Sequence, residues 1–281
     1  MIKIKNLSFG YGKKKLFTNL NVQLEPGNIY GLLGKNGVGK TTLLKLISGL
    51  RYPQDGDCEV LNYIPQKRLP GLLEEIYFIP EEFFVPPMTI KNYTQIYAPF
   101  YPRFNHKAFA EYLKEFNLDL KEKLTELSYG QKKKFLLAFG SSTGCSLFIL
   151  DEPTNGLDIP SKSQFRKILA SALTDDRIIL VSTHQVRDME NLIDPIIILD
   201  DGQIIFNQYI HDVSKYLIIQ MDQDLPVTDD VLYSARVLGG YVVVKENRSS
   251  EESRIDLETL FNAVTTNRDR INDLFSRGGI T

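Results

Sequence analysis

The nine residues Gly34-Lys35-Asn36-Gly37-Val38-Gly39-Lys40-Thr41-Thr42 set the strongest limit on what this chain can fold into. They match G-x-x-x-x-G-K-[ST] at every fixed position. The apolar run Ile29–Leu33 before them predicts a buried strand, and Thr42–Ile47 after them predicts the start of a helix. In that context the glycines let the loop bend so that successive N–H groups point inward at phosphate oxygens. The helix N-terminus adds unpaired N–H groups and a positive field. Lys40 can reach the β- and γ-phosphates, and the Thr41 hydroxyl can hold Mg²⁺. The motif implies a nucleoside triphosphate without saying what its energy is used for. A chance glycine turn is the blander reading, and the flanking strand and helix argue against it.

Composition narrows the classes. With 281 residues the chain has room for one large domain, or one domain and a smaller one. Lys and Arg total 33 against 35 Asp and Glu, a formal charge of -2, so no global basic field suggests nucleic acid. No apolar run reaches the roughly 18 residues of a membrane span. Met1–Lys5 lacks the features of a secretory signal, and Cys58 and Cys145 are too few for a disulfide framework or a metal cluster. A cytosolic chain is the simplest expectation, one that an integral partner can hold at a membrane.

Along the chain, residues 2–9 alternate and read as an edge strand, with a turn at Tyr11-Gly12 and the lysines 13–15. Leu20, Val22 and Leu24 mark a second strand, closed by the turn Glu25-Pro26-Gly27-Asn28. Residues 57–64 read as a third strand of this antiparallel group, and 65–71 as loop. Buried strands are expected at 76–79, 147–150 and 178–182, helices at 160–173 and 185–193, and a hairpin over 196–206 turning at Asp-Gly. Residues 86–140 read as a helical insertion with helices over 89–98 and 105–117, the second opened by Asn105. Its aromatic density is either a small core of its own or a docking surface. Beyond about residue 210, strands at 216–219 and 242–244, a polar loop over 245–253 and helices over 256–264 and 268–274 form a small α+β region. The expected fold is α/β, a mainly parallel sheet covered on both faces, with domains at 1–206 and 207–281.

A carboxylate at the end of a buried strand, Asp151, is the expected second Mg²⁺-associated group. Alternation turns the next residue, Glu152, away from it and toward an attacking water. The alternative is that Asp-Glu-Pro-Thr merely caps a helix. His184 follows a third strand, at the carboxyl edge where ligands gather in open α/β sheets, and can donate to a γ-phosphate. Leu127-Ser128-Tyr129-Gly130-Gln131 places a serine and a glycine at a helix start, a second phosphate-contacting element. The three lysines after it, 132–134, read as a solvated face or a short basic patch.

Taken together, Gly34–Thr42, Leu127–Gln131, Leu147–Glu152, Pro153–Asp158 and His184 resemble the nucleotide-binding subunit of an ATP-binding-cassette (ABC) transporter of bacterial exporter type. Order and spacing agree over roughly residues 1–215. The resemblance implies a P-loop core of ABC ATPase type with an antiparallel N-terminal sheet and a helical insertion. It implies ATP and Mg²⁺ as ligands, Tyr11 stacking on adenine, and Asp158 in a loop that spans a dimer. It further implies a head-to-tail dimer with a second copy or a homologous cassette, each ATP lying between one phosphate loop and the other chain's Ser128-Tyr129-Gly130. The helical insertion would contact integral-membrane permease subunits at the cytoplasmic face. Two departures stand out. Glu81 occupies the place where the family commonly has glutamine; its carboxylate can accept contacts from water or Mg²⁺ but cannot donate as an amide does. Tyr129 replaces the first glycine of the signature.

These features lead to an ATPase powering transport, more in keeping with export than import. A soluble ABC-type ATPase on ribosomes or DNA is the alternative; translation-type relatives usually carry two cassettes, repair-type relatives a long coiled coil, and this chain has neither. A small-molecule kinase is a third reading, which leaves Leu127–Gln131 and His184 without a joint purpose.

Overall fold

The computed structural model describes residues 1–190, 192–225, 228–248 and 253–277. The chain begins with β1 (Ile2–Tyr11), β2 (Lys14–Leu24) and β3 (Asn28–Leu33), then the phosphate loop, α1 (Lys40–Ile47) and β4 (Asp55–Val60). β1 pairs with β2 on one side and β4 on the other, so it is the centre of a three-stranded antiparallel sheet rather than its edge. Alternation along β1 reports which face is buried; it carries no record of how many strands lie alongside. The turn is confined to residues 12–13, and Lys14 and Lys15 already pair with β1.

The stretch expected as loop holds a 3-10 turn, Pro65–Lys67, and α2 (Pro70–Leu73), with Leu72 fully buried. Each opens on a proline at its first position, where the missing N–H is not needed. Proline there starts a turn instead of breaking one.

The second sheet has six strands in the order β5-β6-β7-β3-β8-β9. Its members β5 (Ile76–Ile79), β6 (Leu147–Asp151), β7 (Ile178–Thr183) and β8 (Ile196–Asp200) join β3 in parallel, and β9 (Gln203–Gln208) returns antiparallel to β8. Asp201 and Gly202, at φ 44 and 73, make the expected turn. Successive residues of these strands enter opposite faces. Leu33, Phe148, Leu150, Ile179 and Ile198 belong to one apolar core. Leu32, Ile149, Leu180, Ile197 and Leu199 belong to another, shared with β1, β2 and α1.

The helical insertion comprises α3 (Ile90–Tyr97), α4 (His106–Glu115) and the start of α5 (Tyr129–Ser142). Their N-termini are capped by Thr89, Asn105 and Ser128. The aromatic density is chiefly core: Tyr77, Tyr93, Tyr101, Phe104, Phe135 and Phe139 pack ring to ring, with Phe84 and Phe100 left exposed. α5 lies flush on the parallel sheet. A Cβ on Gly140 would come within 2.5 Å of Tyr77 and 2.8 Å of Phe148. Arg177, only 4% exposed, donates to the carbonyls of Gly140 and Ser141 in α5 and of Ala172 at the end of α6 (Ile159–Ser171).

Only a 3-10 turn, Val186–Met189, forms in the segment expected to be helical, and residue 191 of it lies outside the described residues. The C-terminal region adds α7 (Ile210–Tyr216), β10 (Leu217–Asp222), β11 (Val231–Val237), β12 (Gly240–Glu246), α8 (Leu257–Thr266) and α9 (Arg268–Arg277). Its strands form a sheet of order β10-β12-β11. β12 runs to Glu246, into the expected polar loop, of which residues 249–252 lie outside the described residues. This region packs on the core: the Phe275 ring lies 5.4 Å from Phe206 and 5.1 Å from Tyr216, and Leu257 and Leu260 are buried.

Candidate active site

β3, β6 and β7 end side by side, so the phosphate loop, Asp151–Glu152 and Thr183–His184 meet at one edge. They surround a cleft of about 420 Å³ whose lining includes Tyr11, Asn36, Lys40, Glu81, Glu152 and His184. Gly37 and Gly39 have φ of 78 and 116, the left-handed geometry that glycine adopts freely. A Cβ at Gly34 would lie 2.6 Å from the Leu199 carbonyl. Val38 packs on the core shared with α1, while Lys35 is exposed.

Lys40 is 7% exposed; its Nζ donates to the Gly34 carbonyl at 2.8 Å and stands 3.5 Å from Glu152 Oε1. Thr41 donates to Asp151 Oδ2 at 2.7 Å, and Ser182 donates to the other oxygen of the same carboxylate. Burial pushes the Asp151 carboxyl above its ordinary pKa, with the Ser182 and Thr41 hydrogen bonds opposing the shift. Thr42 shares a hydrogen bond with the Tyr11 hydroxyl at 3.2 Å. The Tyr11 ring, at the mouth of the cleft, meets Phe9 edge-on and lies 5.9 Å from the Arg51 guanidinium.

Glu152 sits at φ 45, a conformation that costs a non-glycine residue about 1–3 kcal/mol. The reversal carries its carboxylate away from Asp151, to 2.9 Å from His184 Nδ1, with Oε2 accepting from the His184 backbone N–H at 3.3 Å. A neutral imidazole that donates from Nδ1 has no second N–H. In this arrangement His184 serves Glu152 first, and donation to a phosphate requires a doubly protonated ring or a turn away from Glu152.

Glu81 accepts from Asn155 Nδ2 at 2.9 Å, and its carbonyl accepts from the Tyr129 hydroxyl at 2.8 Å. Tyr129 folds back onto its own chain, stacked on Phe83 at 5.2 Å. Ser128 and Gln131 are committed to a reciprocal cap, the serine hydroxyl accepting from the Gln131 backbone N–H and the Gln131 side-chain Oε1 accepting from the Ser128 N–H. Ser128, Tyr129, Gly130 and Gln131 do not line the cleft, and neither does Asp158. Asp158 caps α6 by accepting from the Ser161 N–H at 2.9 Å, beside the exposed Ile159.

The lysines 132–134 are not a uniform solvated face. Lys133 is 5% exposed, and burial lowers its pKa to about 8 against the pull of Glu81, Glu152 and Asp151. The available signal was its spacing: Lys133 falls three, four and seven residues before the buried Leu136, Leu137 and Gly140. Ser182 and Asn155 were missed because nothing in their residue type sets them apart.

A threonine of the glycine loop hydrogen-bonded to the aspartate at the end of β6 defines the class as a P-loop nucleoside triphosphatase. The sequence pattern of the ABC transporter family matches residues 17–155. The ABC transporter ATP-binding protein YtrB of Bacillus subtilis (strain 168) is 27% identical, over 92% of this chain and 91% of its own length. The Nod factor export ATP-binding protein I of Rhizobium etli is 30% identical, over 77% and 71%. A dimeric ATP-binding cassette in a post-hydrolysis state, bound to ADP and Pi, superposes with a TM-score of 0.64 at 23% identity, over 74% of this chain and 98% of its own. The chain belongs to the ABC transporter family, as an ATP-binding and ATP-hydrolysing subunit. Among the described residues no helix is long and apolar enough to cross a membrane.

Proposed function

We propose that the chain works as a head-to-tail dimer, with a second copy or a homologous cassette, at the cytoplasmic face of a membrane, and that its closure on ATP drives export through separate permease subunits. One observation carries the reading: the exposed signature serine stands outside the cleft lined by Lys40 and Glu152. The two phosphate-binding elements occupy different surfaces of one chain, and head-to-tail pairing brings unlike surfaces together. The Nod factor export relative favours the outward direction.

In this mechanism the phosphate loop N–H groups and Lys40 hold the β- and γ-phosphates, and Tyr11 stacks on the base. Glu152 orients the attacking water and takes its proton, while His184 holds the Glu152 carboxylate in place. ATP and water give ADP and phosphate. Thr41 and Asp151, with Glu81 at the same cleft, offer only oxygen donors and suit a hard divalent cation such as Mg²⁺. Bound there, Mg²⁺ supplies charge neutralisation at the phosphates.

A groove of about 730 Å³ between α3 and α4, lined by Phe109, Leu113 and Leu118 with Lys91 and Lys114 at its rim, suits a permease segment. The test is a membrane pull-down with Glu152→Gln in ATP and Mg²⁺, which retains nucleotide and slows hydrolysis. Recovery of a multi-span membrane protein is expected. Ribosomes or DNA in its place, with no membrane partner, would overturn the transporter assembly in favour of a soluble ATPase.

A further inference from the structure

α5 begins at the exposed signature and runs inward beneath the loop that follows β6. One turn in, Lys133 Nζ donates to the Glu152 carbonyl at 2.9 Å and to the Asn155 carbonyl at 2.8 Å. The same ammonium stands 5.2 Å from the centre of the Tyr129 ring. Tyr129 donates to the Glu81 carbonyl, and Asn155 donates to the Glu81 carboxylate. The signature helix, the Glu81 loop and the segment 152–155 therefore close into one network around the carbonyl of Glu152. None of the phosphate-binding roles accounts for this lysine.

Glu152 holds a left-handed backbone that its side chain disfavours, so its surroundings must over-determine it. The Glu152 N–H is held by the Ser182 carbonyl, and two charge-assisted bonds from Lys133 hold the carbonyls of Glu152 and Asn155 that follow the bend. We propose that Lys133 is a positioning residue for hydrolysis: it clamps the carbonyls of Glu152 and Asn155, fixes the bend that aims the Glu152 carboxylate, and with Tyr129 ties that bend to the helix bearing the signature. The inference rests on Glu152 as the group that faces the attacking water. Lys133 touches no reacting atom, so its removal affects turnover and leaves nucleotide binding in place.

The experiment is steady-state ATP hydrolysis by the full-length chain, with Lys133→Met, Lys133→Gln, Tyr129→Phe and Glu152→Gln assayed together. Methionine keeps the apolar stem as far as Cε and loses the donors; glutamine has the same reach, is neutral and keeps two N–H donors. Lys133→Met is expected to lower kcat by about 10- to 100-fold with KM for ATP within about twofold, and Lys133→Gln to recover to within about threefold of wild type. Full kcat in Lys133→Met would overturn the proposal. So would a Lys133→Gln as slow as Lys133→Met, since restored N–H donors would then not restore turnover. Should neither Lys133 variant fold, Tyr129→Phe decides: it keeps the ring over Lys133 and loses the Glu81 bond. A fall in kcat of about threefold at constant KM is expected for it, and unchanged kcat overturns the tie. Glu152→Gln separates the layers, since full hydrolysis there removes the role of Glu152 itself.

Discussion

At Glu152 the backbone turns left-handed where β6 ends, and the carboxylate is delivered to Lys40 and His184. The acidic pair and the histidine were legible because each closes a continuous apolar strand, and strand ends are where an open sheet collects ligands. The hydrogen bond between them was not legible, since it depends on a backbone reversal with no residue-type signature. Lys133 hid for the same reason: its partners are carbonyls, which every residue carries. Tyr30 is a residue of stability rather than chemistry. Its hydroxyl accepts from the Glu25 N–H and donates to the Glu25 carbonyl, closing the turn before β3, and burial pushes its pKa up to about 12. Between the unfolded value of 10 and about 12, the folded chain keeps a proton that the unfolded chain has lost. The contribution is complete below about pH 10 and falls as pH rises through that window. Tyr30→Phe is expected to cost about 1 kcal/mol at neutral pH and to flatten the decline. Urea unfolding of both proteins at pH 9 and 11 measures it, and comparing the pair cancels the parallel contribution of Cys58, also pushed up to about 12 by burial.

α5 shows how one element serves several ends. Its cap faces the signature surface, its interior meets the sheet without a gap at Gly140, and its last carbonyls are held by Arg177. The guanidinium also takes the Ala172 carbonyl of α6 and lies over the Phe148 ring, so one side chain finishes two helices. Arg177→Met would remove the donor from the buried Ser141 and Ala172 carbonyls, while the Gly140 carbonyl keeps the Thr143 N–H and hydroxyl. It is expected to cost about 3 kcal/mol, read as a lower urea midpoint at unchanged m. Core strands were legible as elements because burial on both faces leaves continuous apolar runs. β11 was not, because Ser234 and Arg236 interrupt its apolar residues and only pairing with β12 makes it a strand. α2 was not legible because four residues are too few to show a helical period.

For the whole molecule, the fold class was legible from alternating strands and helices, whereas the seating of the C-terminal region was not. That seating depends on contacts between distant segments: Phe275 on Phe206, Asn272 on the Ile205 carbonyl, Arg187 on Glu258. Those contacts bring α8 against the 3-10 turn that follows His184. The parallel sheet stands as a wall between two apolar cores, with Phe139 on one side and Leu44 on the other. For inherited variation this wall acts as a firebreak. A damaging substitution in one core is expected neither to worsen nor to be repaired by one in the other, while neighbours within a core can compensate. Phe139→Ala and Leu44→Ala are each expected to cost about 2–5 kcal/mol, so the milder changes Phe139→Leu and Leu44→Val suit the comparison. Their combined loss is expected to equal the sum of the two to within about 0.5 kcal/mol by equilibrium unfolding. Lineages of this chain can therefore rework the core under the helical insertion while the one around the phosphate-loop helix stays as it is.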